Sequence, residues 1–238
     1  MSSAVAPRFD YESIPAGYYD AVFRRRRGVQ SKWHHLKFAR VAEELAGHRR
    51  VLDLGCGPGT MLGQLGREHE SVGMDLSTRQ IEYARTTYGA NGIRFYTELP
   101  DEEGPFDAVT LVELIEHLDP SEVDATIGQA LDRLRPGGRL VVTTPNFHSA
   151  WPLVEAAVNR LGAIRYDVQH INRFGAARLG RLLEDHGVAE LRVEPYLFLA
   201  PFAAALGWSF ADRVARLERG PVERAMGMLL LGSGVKRA

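Results

Sequence analysis

The chain has a single cysteine, Cys56, in 238 residues, so no internal disulfide can form. A lone thiol fits a reducing compartment, and a cytoplasmic location is expected. Set in a glycine-rich turn, Cys56 reads as a small packing residue ahead of a reactive thiol. An excess of charge is also missing: 29 Lys and Arg against 30 Asp and Glu leave a formal net charge of -1. No global field draws such a chain to DNA, and RNA is disfavoured, although local basic patches stay open. Long apolar runs are absent as well. The longest, Tyr196 to Trp208, has 13 residues and contains Pro201. That is too short for a transmembrane segment, which leaves peripheral membrane contact open. The N-terminus has no basic-then-apolar leader pattern. Neither an internal repeat nor a low-complexity tract occurs. What remains is 45% hydrophobic and 25% charged, which is the composition of a globular chain. Its length suits one large domain, or one domain with an insertion.

The most informative stretch present is Val51-Leu52-Asp53-Leu54-Gly55-Cys56-Gly57-Pro58-Gly59-Thr60. An apolar run ends in a glycine cluster, and Asp75 closes a second run, Val72-Gly73-Met74, twenty-two residues after Asp53. Strand, glycine turn, helix, strand, acid is the grammar of a nucleotide-type ligand lying across the carboxyl ends of parallel strands. Gly55 and Gly57 let the backbone turn sharply and approach a ligand with no Cβ in the way. Asp75 sits where a carboxylate can accept both hydroxyl protons of a ribose. The spacing is Gly-x-Gly-x-Gly, not the pyrophosphate spacing Gly-x-Gly-x-x-Gly, and Pro58 stiffens the turn. A pyrophosphate wants a free helix N-terminus. This turn suits a ligand without phosphate.

Residues 1–15 carry Ser, Pro and Ala and are expected to be poorly ordered. Tyr18 to Ala46 follows a mixed helical pattern and is expected to cap the open end of a sheet, so that residues 1–45 form a helical cap and 46–238 the main domain. Arg24 to Arg27 reads as a solvated face or an anion contact. The core then alternates. Strands are expected at 50–54, 72–75, 93–96, 106–112 and 140–144. Helices are expected at 60–67, from an N-cap at Ser77 through Tyr88, and from Asp119-Pro120-Ser121-Glu122 to about Leu134. This alternation predicts an α/β fold with a parallel, doubly wound sheet. The rhythm breaks after Asn146. Residues 147–173 read as an insertion with Trp151, Tyr166 and two histidines. A helix at 175–186 ends at Gly187. A strand follows at 191–197, apolar helical material at 200–224 broken at Pro201, Gly207 and Pro221, and a last strand at 226–233.

The glycine turn resembles motif I of the class I S-adenosylmethionine-dependent methyltransferases, and Asp75 resembles their ribose-binding acid. Gly104-Pro105-Phe106-Asp107-Ala108-Val109 and Leu134-Arg135-Pro136-Gly137-Gly138 also look like the segments leading into that family's fourth and fifth strands. The resemblance covers about residues 45–235. It implies a mostly parallel seven-stranded sheet whose final strand is antiparallel and slotted between its neighbours. It places S-adenosylmethionine against Asp53, Gly55, Cys56, Gly57, Asp75, Leu76, Val112 and Glu113. The family's frequent Gly-Asp pair after the third strand is missing, so Thr97 or Glu98 stands in for the adenine contact.

Glu113-Leu114-Ile115-Glu116-His117-Leu118 follows the fourth strand at the ligand end of the sheet. As a helix it would bring Glu113, Glu116 and His117 to one face. Those groups could hold Mg²⁺ or another divalent ion. Alternatively, His117 could act as a general base. The segment resembles the Glu-x-x-Glu-His of the ubiquinone-biosynthesis O-methyltransferases and of the small-RNA 3′-terminal 2′-O-methyltransferases, where it contributes to a divalent metal site. There a histidine from the region of His170 joins the site. Here His170 could do so, or merely fix its loop. His148 could also face the pocket, whereas His34 and His35 read as helix-face residues. A histidine in this zone favours an oxygen acceptor. The Tyr, Trp, Phe and Leu of the cap, the insertion and the 196–208 segment favour a small apolar or aromatic acceptor, lipid-linked or natural-product-like. An RNA 2′-O-methyltransferase and a non-catalytic S-adenosylmethionine-binding regulator are the alternatives. A homodimer through the 196–208 segment is open.

Overall fold

A computed structural model describes residues 14–161 and 170–237 of the chain. Residues 1–13 of the N-terminal stretch and Tyr166 of the insertion lie outside the described residues. Strands β1 (Arg50–Leu54), β2 (Glu70–Met74), β3 (Arg94–Tyr96), β4 (Phe106–Val112) and β5 (Leu134–Pro145) pair in parallel. β6 (Val188–Tyr196) forms one edge, and β7 (Leu229–Lys236) runs antiparallel between it and β5. The order is β3-β2-β1-β4-β5-β7-β6. The seven-stranded, mostly parallel sheet is therefore as expected.

Both faces of the sheet are apolar because both are covered. Side chains alternate across it: Val51, Val141, Leu229 and Leu231 pack into one core, Leu52, Val142 and Leu230 into the other. Local signals set the flanking helices. The Ser77 hydroxyl accepts the Gln80 amide at the start of α3 (Thr78–Tyr88). Asp119 and Glu122 close a capping box at the start of α4 (Pro120–Arg133). This satisfies amide groups that a helix start leaves open. The strand order runs outward in opposite senses from β1, to β2 and β3 on one side and to β4 and β5 on the other, so the crevice at the carboxyl ends of β1 and β4 is where a ligand fits.

Several expected elements differ: β5 starts at Leu134 where 140 was expected and β7 at Leu229 where 226 was expected, and three differences are larger. The cap is two helices, α1 (Tyr18–Arg24) and α2 (Gly28–Glu44). The break falls on the arginine run, where Arg26 has φ 47° and Gly28 φ 83°. Helix 60–67 shrinks to one 3₁₀ turn, Leu62–Gln64. Gly63 there lies against the Tyr88 ring so closely that a Cβ would come within 2.2 Å of it. The 200–224 segment is three helices, α7 (Ala200–Ala203), α8 (Trp208–Glu218) and α9 (Pro221–Met226), joined through Gly207 and Gly220. Pro201 opens α7 and does not break it. Within the insertion, α5 spans Trp151–Leu161.

A fully buried carboxylate, Asp20, fixes the cap on the sheet domain. It accepts hydrogen bonds from Thr60 Oγ1 (3.1 Å) and Tyr83 Oη (2.8 Å), bonds Tyr88 Oη, and pairs with Arg24 Nε at 2.6 Å. The donors come from the glycine turn, from α3 and from α1 itself, so one buried charge is compensated by groups from three segments.

Candidate active site

The glycine turn leaves β1 and crosses to β2. Gly55 and Gly59 have φ 76° and 75°, conformations that an L side chain rarely adopts. The amides of Gly55 and Cys56 both bond the Met74 carbonyl, at 2.8 and 3.0 Å. Asp75 follows β2 and accepts the Gly57 amide (2.8 Å) and the Ser77 amide (2.9 Å). Turn and acid are thus one unit at the crevice. The Asp75 amide bonds the Tyr96 carbonyl, which brings Thr97 and Glu98 beside it. Leu76 stands 81% exposed next to Asp75, an apolar side chain with nothing over it among the described residues.

Asp53 is buried in β1 and accepts the Thr110 hydroxyl at 2.6 Å. Burial pushes its pKa up to about 7, with the Asp75 carboxylate adding to the rise and Lys37 opposing it. An acid whose folded pKa is raised stabilises the fold in its neutral form. That contribution is present at low pH and is lost as pH rises from the ordinary carboxylate range to about 7. Stability measured by urea unfolding should therefore fall by up to about 1.4 kcal/mol per pH unit across that window. Asp53→Asn should flatten the difference, and a variant with the wild-type slope would remove this explanation. Burial also pushes the Cys56 thiol well up, which makes it a packing group and not a nucleophile.

Glu113-Leu114-Ile115-Glu116-His117-Leu118 is not helical. Glu113 has φ 52° as the chain leaves β4, and its amide bonds the Thr143 carbonyl of β5 at 3.0 Å. Glu113 and Glu116 therefore do not share a helix face. The Glu113 carboxylate pairs with the buried Lys37 of α2. Residues 115–118 form a turn pinned by Asn172. Its amide bonds the Glu116 carbonyl (2.9 Å), and its Nδ2 donates to the carbonyls of Ile115 (3.1 Å) and Leu118 (2.7 Å).

This turn presents Glu116 and His117 to His170. The three offer ligand atoms that lie within 4.8 Å of one another. His117 Nε2 is 3.9 Å from Glu116 Oε1, and the rings of His117 and His170 are 5.0 Å apart. Glu116 is fully buried, and neither carboxylate oxygen has a hydrogen-bond partner among the described residues. Burial, with the Glu113 carboxylate nearby, raises its pKa well above the usual range. His170 Nδ1 contacts the Glu155 carboxylate of α5. Burial lowers the His170 pKa to about 4, with the Glu113 carboxylate opposing the fall. Trp151 and Phe147 stand around it, with ring centroids at 6.0 and 6.1 Å.

The structure thus unites Glu116, His117 and His170 and places Glu113 outside their group, on Lys37. His148 is exposed after β5. His34 is buried in α2, not on an open helix face, and His35 stacks on Phe23 at 3.8 Å. Lys37, Glu155 and Asn172 escape a reading of the sequence. Only Asn172 carried a signal, since it lies two residues from His170.

The methyltransferase domain family matches residues 24–192, more than half of the chain. A ubiquinone biosynthesis O-methyltransferase from Escherichia fergusonii is 29% identical over 161 residues, covering 60% of this chain and 65% of its own. An uncharacterized protein of transposon TN4556 from Streptomyces fradiae is 34% identical over 191 residues, covering 74% of this chain and 52% of its own. The chain thus spans about half to two thirds of the length of these curated relatives. In fold it is similar to a methyltransferase from Thermotoga maritima, described as a possible histamine N-methyltransferase, with a TM-score of 0.64 at 20% identity over 92% of this chain and 94% of that one. With the strand order, the glycine turn and its acid in place, the chain belongs to the class I S-adenosylmethionine-dependent methyltransferases.

Proposed function

We propose that the protein transfers the methyl group of S-adenosylmethionine to an oxygen of a small apolar or aromatic acceptor. The observation that carries this reading is the cluster of Glu116, His117 and His170 at the carboxyl end of β4. It contains a buried carboxylate whose oxygens make no hydrogen bond to the described residues, with His117 Nε2 3.9 Å away. A carboxyl or amine acceptor needs little help to attack a sulfonium methyl. A hydroxyl must lose its proton as the new bond forms.

In this reading Gly55, Cys56 and Gly57 would line the cofactor and Asp75 would accept hydrogen bonds from its ribose hydroxyls, with Asp53, Leu76, Val112 and Glu113 beside it and Thr97 or Glu98 at the adenine. When bound, S-adenosylmethionine would supply a methyl group on a sulfonium that leaves as a neutral thioether. The cluster would orient the acceptor hydroxyl towards that methyl, and the His117 imidazole would take the hydroxyl proton. Glu155 holds His170, and Trp151 and Phe147 keep water from the pair.

The same donor set fits a divalent cation. Its carboxylate makes no hydrogen bond to the described residues, and its oxygen and imidazole donors converge. Glu116, His117 and His170 would hold the ion. When bound it would lower the pKa of an acceptor hydroxyl. A ribose hydroxyl of RNA would suit the same cluster, but a net charge of -1 gives little attraction for a polyanion, so this reading ranks second. A non-catalytic regulator would have no use for three convergent polar groups beside the cofactor.

The test is labelled methyl transfer to a panel of phenols, alcohols, carboxylic acids and amines, run before and after chelation. Turnover confined to hydroxyl acceptors is expected. Preference for amines would overturn the reading. Activity unchanged by EDTA, with no Mg²⁺ or Mn²⁺ binding by calorimetry, would remove the cation and leave the base.

A further inference from the structure

We propose that the outward face of α8 docks on the surface of an anionic lipid membrane. At 100° per residue the exposed positions of α8 fill one arc of about 120°. In angular order they are Arg216, Ser209, Arg213, Leu217 and Phe210, and no acid is among them. Leu217 is 81% exposed and Phe210 46%. Leu206, just before the helix, is 81% exposed as well. In α9, Val222 and Met226 are four residues apart on one side and both exposed, whereas Arg224 lies about 200° round the helix, in a cavity it lines with Glu194 and Glu223.

The acids of this segment are engaged by neighbouring elements, Asp212 while its side chain stays 43% exposed. Asp212 pairs with Lys32 of α2 at 2.5 Å. Glu218 is buried and accepts the amides of Leu199 (2.8 Å) and Ala200 (3.1 Å) at the start of α7. Glu223 accepts the Leu197 amide at 3.4 Å. Arg213, Arg216 and Arg224, by contrast, have no ion pair among the described residues. The chain as a whole is close to neutral, so this segregation is local.

The pattern selects the occupant. A second copy joined about a two-fold axis would set the same patch against itself, with arginines facing arginines and no acid between them. Apolar side chains flanked by unpaired arginines on a helix match an interfacial helix at an anionic bilayer. No helix among the described residues is long and apolar enough to cross a membrane, so the association is peripheral.

Flotation of the full chain with phosphatidylcholine vesicles, with and without phosphatidylglycerol, tests this. Partition at least about tenfold stronger on the anionic vesicles is expected, and high salt should abolish the difference. Leu217→Asp should lower partition on both vesicle types. Arg213→Gln with Arg216→Gln should remove the preference for the anionic one. All three positions are exposed, so the unfolding midpoint of each variant should match the wild type; a variant that does not match is replaced by Phe210→Ser. Wild-type protein that stays off both vesicles, or binds them equally, overturns the proposal. So does a concentration-dependent dimer that Leu217→Asp dissolves without any vesicle binding, which would give the face to a second copy.

Discussion

Replacing His117 by alanine is expected to lower turnover about a hundredfold or more, while cofactor affinity stays within about twofold. The reason lies in how the residue is held. Its backbone belongs to the turn at 115–118, which Asn172 grips through three hydrogen bonds to main-chain carbonyls. Alanine keeps those bonds, so the turn and the neighbouring Glu116 should stay in place. What disappears is the imidazole, 3.9 Å from Glu116 Oε1 and 5.0 Å, centroid to centroid, from the His170 ring. The hydroxyl proton then has no acceptor at that point, and any cation loses one of its donors. Neither loss touches the glycine turn or Asp75. Steady-state kinetics with calorimetry of S-adenosylmethionine binding separates the two quantities. A variant that turns over at the wild-type rate would exclude His117 from the chemistry. A variant that loses cofactor binding in parallel with turnover would make it structural.

The sheet was legible wherever a local signal did the work. β1 and β4 fall at the positions that their apolar runs mark, and α3 and α4 start at Ser77 and Asp119, where side chains cap the first turn. The misreadings occur where distant residues decide. Helical periodicity in Tyr18–Ala46 does not reveal that Asp20 will fasten α1 to the glycine turn and α3, leaving the chain to turn at Arg25–Arg27. The stretch after Gly59 looked helical by composition. It forms a single 3₁₀ turn in which Gly63 packs against the Tyr88 ring, a contact with a residue of α3 that composition does not show. In the active site the spacing of Glu113, Glu116 and His117 suggested a helix, yet Glu113 has a left-handed backbone at the end of β4 and pairs with Lys37, 76 residues away. The site instead draws its third group from His170 and that histidine's partner from Glu155. No periodicity connects those positions. Only the packing of α5 and of the segment before α6 (Ala176–Asp185) brings them together.

Asp75→Ala is expected to weaken S-adenosylmethionine binding about tenfold to a hundredfold, a loss of roughly 1.4 to 2.7 kcal/mol. Two effects add. The carboxylate that would take the ribose hydroxyls is gone. The amides of Gly57 and Ser77, held at 2.8 and 2.9 Å, also lose their acceptor, and the glycine turn loses a tie across the crevice. The turn is not released entirely, because the Gly55 and Cys56 amides still bond the Met74 carbonyl. Stability should therefore fall less than affinity. Asp75→Asn separates the contributions: the amide oxygen can still accept one backbone hydrogen, but its nitrogen can only donate, so at least one of the ribose and backbone contacts is lost. Its affinity should lie between those of the alanine variant and the wild type. If calorimetry gave all three proteins the same dissociation constant, the cofactor would not rest on this acid. The glycine turn would then have to hold it through backbone amides alone, as phosphate ligands are held, and a ligand without phosphate offers those amides little to bind.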